Sequence, residues 1–168
     1  MNPTFGPSSF TQLNGFQFNR NSPFNRSLSV EPFITVSDNQ LTLHLPEFKV
    51  PKEFKFPLKA TSCTINFSVM EFNLLEDTKK KALIGTINVD NKKGVYPAQE
   101  WTAPLQEGWL SVVAISLNYV QHTFAGNVVL NNKKLCPAMI INAGFMTNIN
   151  HVGPFELKTK NKKWVSKT

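Results

Sequence analysis

The chain has 168 residues but only two cysteines, Cys63 and Cys136, so it is not a disulfide scaffold. No stretch approaches the roughly 18 apolar residues that a membrane-crossing helix needs. The first residues, Met1-Asn2-Pro3-Thr4-Phe5-Gly6-Pro7, lack both a charged segment and an apolar core. That argues against a secretory signal and makes cytoplasmic residence the default, with export left open. Good helix formers at a 3.6-residue spacing are missing throughout, which argues against a helical fold. There is no glycine-rich phosphate loop, dinucleotide fingerprint or serine elbow. The three histidines, His44, His122 and His151, stand too far apart for two ligands to share one local element. The reading is therefore of a protein with no cofactor, no metal site and no assigned catalytic residue.

Aromatics are plentiful instead: 14 Phe, 3 Trp and 2 Tyr, a content that excludes a wholly disordered chain. The net charge is +7, and it is uneven. Residues 128–168 hold seven lysines against Glu156 alone, and residues 1–30 hold Arg20 and Arg26 without an acid. Residues 31–127, with nine lysines and ten acids, are nearly neutral. Charge placed at chain ends steers partners or aids solubility at little cost to folding.

Alternation with a period of two dominates the middle of the chain. Leu41, Leu43 and Leu45 alternate with Thr42 and His44, the pattern of a half-buried strand. Between 60 and 75, Cys63, Ile65, Phe67 and Val69 take one face and Thr64, Asn66 and Ser68 the other. The apolar phase then slips to Met70, Phe72 and Leu74, which predicts a β-bulge near Val69–Glu71. Leu83, Gly85, Ile87 and Val89 form a return strand with Thr86 and Asn88 outward, and 109–120 forms another long strand. Segments 46–57 and 95–108 read as extended or irregular. Asn131-Asn132-Lys133-Lys134 reads as a hairpin loop between strands at 124–130 and 135–141, followed by a loop at 142–154. Phe155 and Leu157 read as a closing strand. The expected fold is an all-β, antiparallel two-layer sandwich, with immunoglobulin-like and jelly-roll-like topologies both open. The immunoglobulin pattern wants a tyrosine two residues before the second cysteine, where this chain has Lys134. Residues 1–29 form an irregular aromatic arm, 30–157 the sandwich and 158–168 a basic tail.

Three kinds of binding follow from these features. The arm aromatics and cations Phe16, Phe18, Arg20, Phe24 and Arg26 are candidates for contact with a protein partner or a second copy. Function as a non-catalytic protein-interaction or assembly module is the leading reading. Trp101, in an irregular stretch bounded by prolines, and Tyr96 just before it are candidates for a carbohydrate platform; Trp101 reads equally as the plug that holds that stretch down. Lys158, Lys160, Lys162, Lys163 and Trp164 are candidates for nucleic-acid contact, which combines cations with stacking rings. Glu71 is the acid placed within a strand rather than in a turn, and it reads as a solvated edge carboxylate. Cys63 reads as a buried inert thiol, with a cross-sheet disulfide to Cys136 as the alternative. The glycosylation-type triplets Asn25-Arg26-Ser27 and Asn66-Phe67-Ser68 carry little weight in a chain with 18 asparagines.

Overall fold

The computed structural model describes residues 9–145. Among these residues there are ten strands: β1 (Phe33–Ser37), β2 (Gln40–Leu45), β3 (Phe48–Val50), β4 (Ser62–Asn73), β5 (Thr78–Asp90), β6 (Gly94–Tyr96), β7 (Gln99–Pro104), β8 (Leu110–Thr123), β9 (Gly126–Val129) and β10 (Ala138–Phe145). The larger sheet has the order β10-β8-β4-β5, with β9 pairing the far end of β8. A three-stranded sheet, β1-β2-β7, forms the second layer, and β3 pairs β6 in a small third sheet. Every pairing is antiparallel. The protein is an all-β sandwich. No helix among the described residues is long and apolar enough to cross a membrane.

The alternation places the core. Cys63, Ile65, Phe67 and Val69 of β4 pack with Val113, Ile115, Leu117 and Tyr119 of β8, facing Leu41, Leu43 and Leu45 of β2. At one end of the sandwich Phe48, Phe54, Phe56, Tyr96 and Tyr119 make a chain of ring contacts with centroids 5.0–6.4 Å apart, which accounts for part of the phenylalanine surplus.

The predicted bulge is not in β4. That strand runs without a register shift against β8 over its whole pairing. Met70 and Phe72 lie on its other face because a second core exists there, built from Leu110, Val112, Ile140 and Ala143 and covered by Phe10 and Leu13 of the arm. The change of phase in the sequence thus marks a change in which face is covered. The actual irregularities are in β5, opposite Phe67/Ser68, and in β10, between Ile140 and Asn142.

Other expectations also change. Segment 46–57 contributes β3 and buries Phe48, Val50 and Phe54, and 95–108 contains β7. The segments 124–130 and 135–141 do not pair with each other. Both β9 and β10 pair β8, and Asn132 and Leu135 only close the turn between them. The expected loop at 142–154 begins as strand, since β10 runs to Phe145.

The arm is built into the domain. Residues Thr11–Leu13 and Phe24–Arg26 form single 3₁₀ turns. Gly15 N–H donates to Ile140, Ile140 N–H to Phe16 and Phe18 N–H to Ala138, at 2.9–3.0 Å, so the arm covers the outer edge of β10. Further on, Ser29 N–H donates to Glu53 and Lys55 N–H to Ser27. Phe24 is 1% exposed and, with Leu28, belongs to the main core.

Candidate binding surfaces

Among the arm residues proposed for contact, the register separates two sets. Gln17 pairs with Met139, whose partner across β8 is the buried Ile115. Gln17 therefore faces inward, where its Oε1 accepts the Phe24 N–H at 2.8 Å. Phe16 and Phe18 face outward, 52% and 55% exposed, with rings T-shaped at 5.4 Å. Arg20 and Arg26 are exposed, whereas Phe24 is core and is unavailable to a partner.

The two carbohydrate candidates are both engaged in packing. Trp101 lies in the middle of β7 with its indole on Gly85 and Phe67, the latter at 5.1 Å between centroids. Tyr96 stacks on Phe48 at 5.1 Å and its hydroxyl accepts the Asp90 N–H at 2.7 Å. An exposed loop platform is thus not what these rings form, because the segment that holds them is strand. The five tail residues Lys158, Lys160, Lys162, Lys163 and Trp164, and the closing strand expected at Phe155 and Leu157, lie outside the described residues.

Glu71 is not a solvated edge carboxylate. It continues the inward face of β4 beyond Val69, is 7% exposed, and its Oε1 accepts the Gln106 N–H at 2.6 Å. It ties the β7–β8 connection across the open end of the sandwich, beside a cleft of about 510 Å³ that Lys80 and Lys81 also line. Lys80 Nζ stands 5.2 Å from the centre of the Trp109 ring. Cys63 is a buried free thiol and Cys136 an exposed one; burial pushes the Cys63 thiol well above its ordinary pKa. His44 bridges Thr35 and Glu100, and His122 bridges Ser62 and Asn127. Among the described residues no group of three or more His, Cys, Asp or Glu is placed to hold a metal ion.

Two surfaces come from residues that the strand-by-strand reading did not single out. The first is the hairpin of β8 and β9. Phe124 at its tip is fully exposed, and Val128 and Val129 on β9 are exposed at 49% and 65%. Residues 108–132 contain no Asp, Glu, Lys or Arg, a sequence signal that would have found this hairpin. The second is the outer face of the large sheet, where β5, β4 and β8 present Thr86 and Asn88, Thr64 and Asn66, and Ser116 and Asn118.

No protein-family model, no curated protein and no solved structure matches the chain.

Proposed function

We propose that the protein is a non-catalytic β-sandwich module that associates with another protein, a second copy in the first instance, by strand addition along β9. The observation that carries this reading is the contrast between the edges of the large sheet. The β5 edge is guarded by Lys79, Lys80 and Lys81, and the β10 edge is covered by the arm. Among the described residues β9 has neither device: its four residues Gly126–Val129 are exposed and uncharged. An unguarded edge offers backbone donors and acceptors to an incoming strand, while Phe124 and Val128 supply apolar anchors. A four-residue edge is short, so the association is reversible and dependent on concentration.

Sedimentation of the full chain over a concentration series tests the reading. We expect mass to rise towards a dimer, and Val128→Lys to hold the protein as a monomer while its melting temperature changes little. A wild-type chain that stays monomeric up to its solubility limit, or a Val128→Lys chain that dimerises equally, overturns it.

A further inference from the structure

The outer face of the large sheet is unusual in its chemistry. Register sets Thr64 between Asn88 and Asn118, and Asn66 between Thr86 and Ser116. Hydroxyl and amide groups therefore alternate in both directions across three strands. Thr64 Oγ1 donates to Asn88 Oδ1 at 2.9 Å and Thr86 Oγ1 to Asn66 Oδ1 at 3.2 Å. Each of those amides accepts through its oxygen and keeps its N–H₂ group for a ligand. None of the six carries charge, in a chain with 18 basic and 11 acidic residues. Towards one end of this face the next row brings Asp90, and towards the other Lys81 stands two rows beyond.

A surface of this kind discriminates between ligand classes. Without cations it lacks the charge that dominates the affinity for a phosphate backbone. Without apolar area at its centre it lacks what forms the core of a protein–protein contact. Closely spaced neutral donors and acceptors match a ligand that offers the same, a hydroxyl on nearly every carbon. Neighbouring columns are about 4.8 Å apart, close to the advance of one sugar ring along an extended polysaccharide. At the β10 margin of the same face stand Phe16 and Phe18, fixed by the arm's hydrogen bonds. A phenyl ring carried on a backbone already held in place packs on the apolar C–H side of a pyranose at reduced entropic cost.

We infer that this face binds an uncharged polysaccharide laid across the strands, hydrogen-bonded by Thr64, Asn66, Asn88 and Asn118 and stacked at one end on Phe16 and Phe18. The surface is separate from the β9 edge, so the inference does not depend on self-association.

The test is affinity electrophoresis of the full chain through native gels containing a mixed-linkage β-glucan, a galactomannan or a starch, with alginate as the acidic control. We expect retardation in at least one neutral gel and none in alginate. Asn66→Asp puts a negative charge at the centre of the face and should weaken binding at least tenfold, as should Asn118→Asp, which serves if the first variant folds poorly. Phe16→Ser/Phe18→Ser should weaken it several-fold. Mobility unchanged in every neutral gel overturns the inference. So does equal retardation in alginate, or wild-type retardation by both aspartate variants. If the face docks a protein instead, the gels show no retardation and Asn66→Asp alters only the sedimentation of the chain, an outcome that also overturns it.

Discussion

The indole of Trp101 on β7 lies directly on Gly85 of β5: a Cβ placed on Gly85 would stand 2.6 Å from Trp101 Cδ2. These two strands belong to different sheets and are not hydrogen-bonded, so this contact closes one side of the sandwich. Glycine is required here by the ring above it. Its backbone angles do not demand it.

Gly85→Ala should therefore destabilise by about 1–3 kcal/mol, the usual range for overpacking, and Gly85→Val by more. Chemical denaturation measures both. Trp101→Leu in the Gly85→Ala background should restore part of the loss, since the two residues share one space. Simple addition of the two single effects would contradict the contact.

Phe24 belongs to the arm in sequence and to the core in space. Phe24→Ala should cost about 3–5 kcal/mol, a large share of the roughly 5–15 kcal/mol that holds a domain together. Deleting residues 1–29 should yield an unfolded or aggregated chain, detectable as loss of near-ultraviolet dichroism. A deletion that stays folded would show that the arm is only an appendage.

Glu71 holds the connection after β7 through the Gln106 amide. Glu71→Ala leaves that N–H without its acceptor and should cost about 1–3 kcal/mol. Glu71→Gln keeps an acceptor and should cost less. Hydrogen exchange gives the direct reading: protection at the Gln106 amide should fall sharply in Glu71→Ala and persist in Glu71→Gln.

Burial raises the pKa of both the Cys63 thiol and the Tyr119 phenol. In the unfolded chain these groups ionise near about pH 8.5 and 10. Above those values the unfolded state releases protons that the native state keeps, so stability falls as pH rises. Each group contributes a slope of up to about 1.4 kcal/mol per pH unit beyond its unfolded pKa, and below about pH 8 neither has an effect. Melting temperatures of wild type and Cys63→Ala between pH 7 and about 10.5 check this, the variant losing the earlier part of the slope. In native protein an alkylating reagent should modify Cys136 alone; in denaturant it should modify both thiols.

Much of the layering was legible strand by strand. The alternations at 41–45 and 60–69 identify the buried faces of β2 and of most of β4, because a pleated chain can hide only every second side chain. The same rule misled at Met70 and Phe72. Two-sided burial and a slipped strand leave the same trace in a one-dimensional pattern, and only the arm lying over Leu110 and Val112 separates them. Trp101 reads as a loop aromatic, whether platform or plug, because Pro97 and Pro104 bracket it; an edge strand of the small second sheet tolerates a proline at its limit. In sequence Glu71 reads as solvated because a carboxylate on a strand usually is, and the backbone amide that satisfies it comes from 35 residues away.

From the sequence alone came the composition, the uneven charge, the all-β character and the outward faces along 41–45, 60–69 and 85–89, all properties of neighbours along the chain. Tertiary structure decided which outward residues meet. Thr64 lies beside Asn88 and Asn118 because β5 and β8 settle on β4 in one register. A shift of two residues would keep every hydrophobic side chain on its face and yet set Thr64 opposite Thr86 and Ser116, hydroxyl against hydroxyl, and Asn66 opposite Ala114. Local periodicity is blind to that choice. Packing of the whole sandwich makes it, and with it the alternating neutral surface.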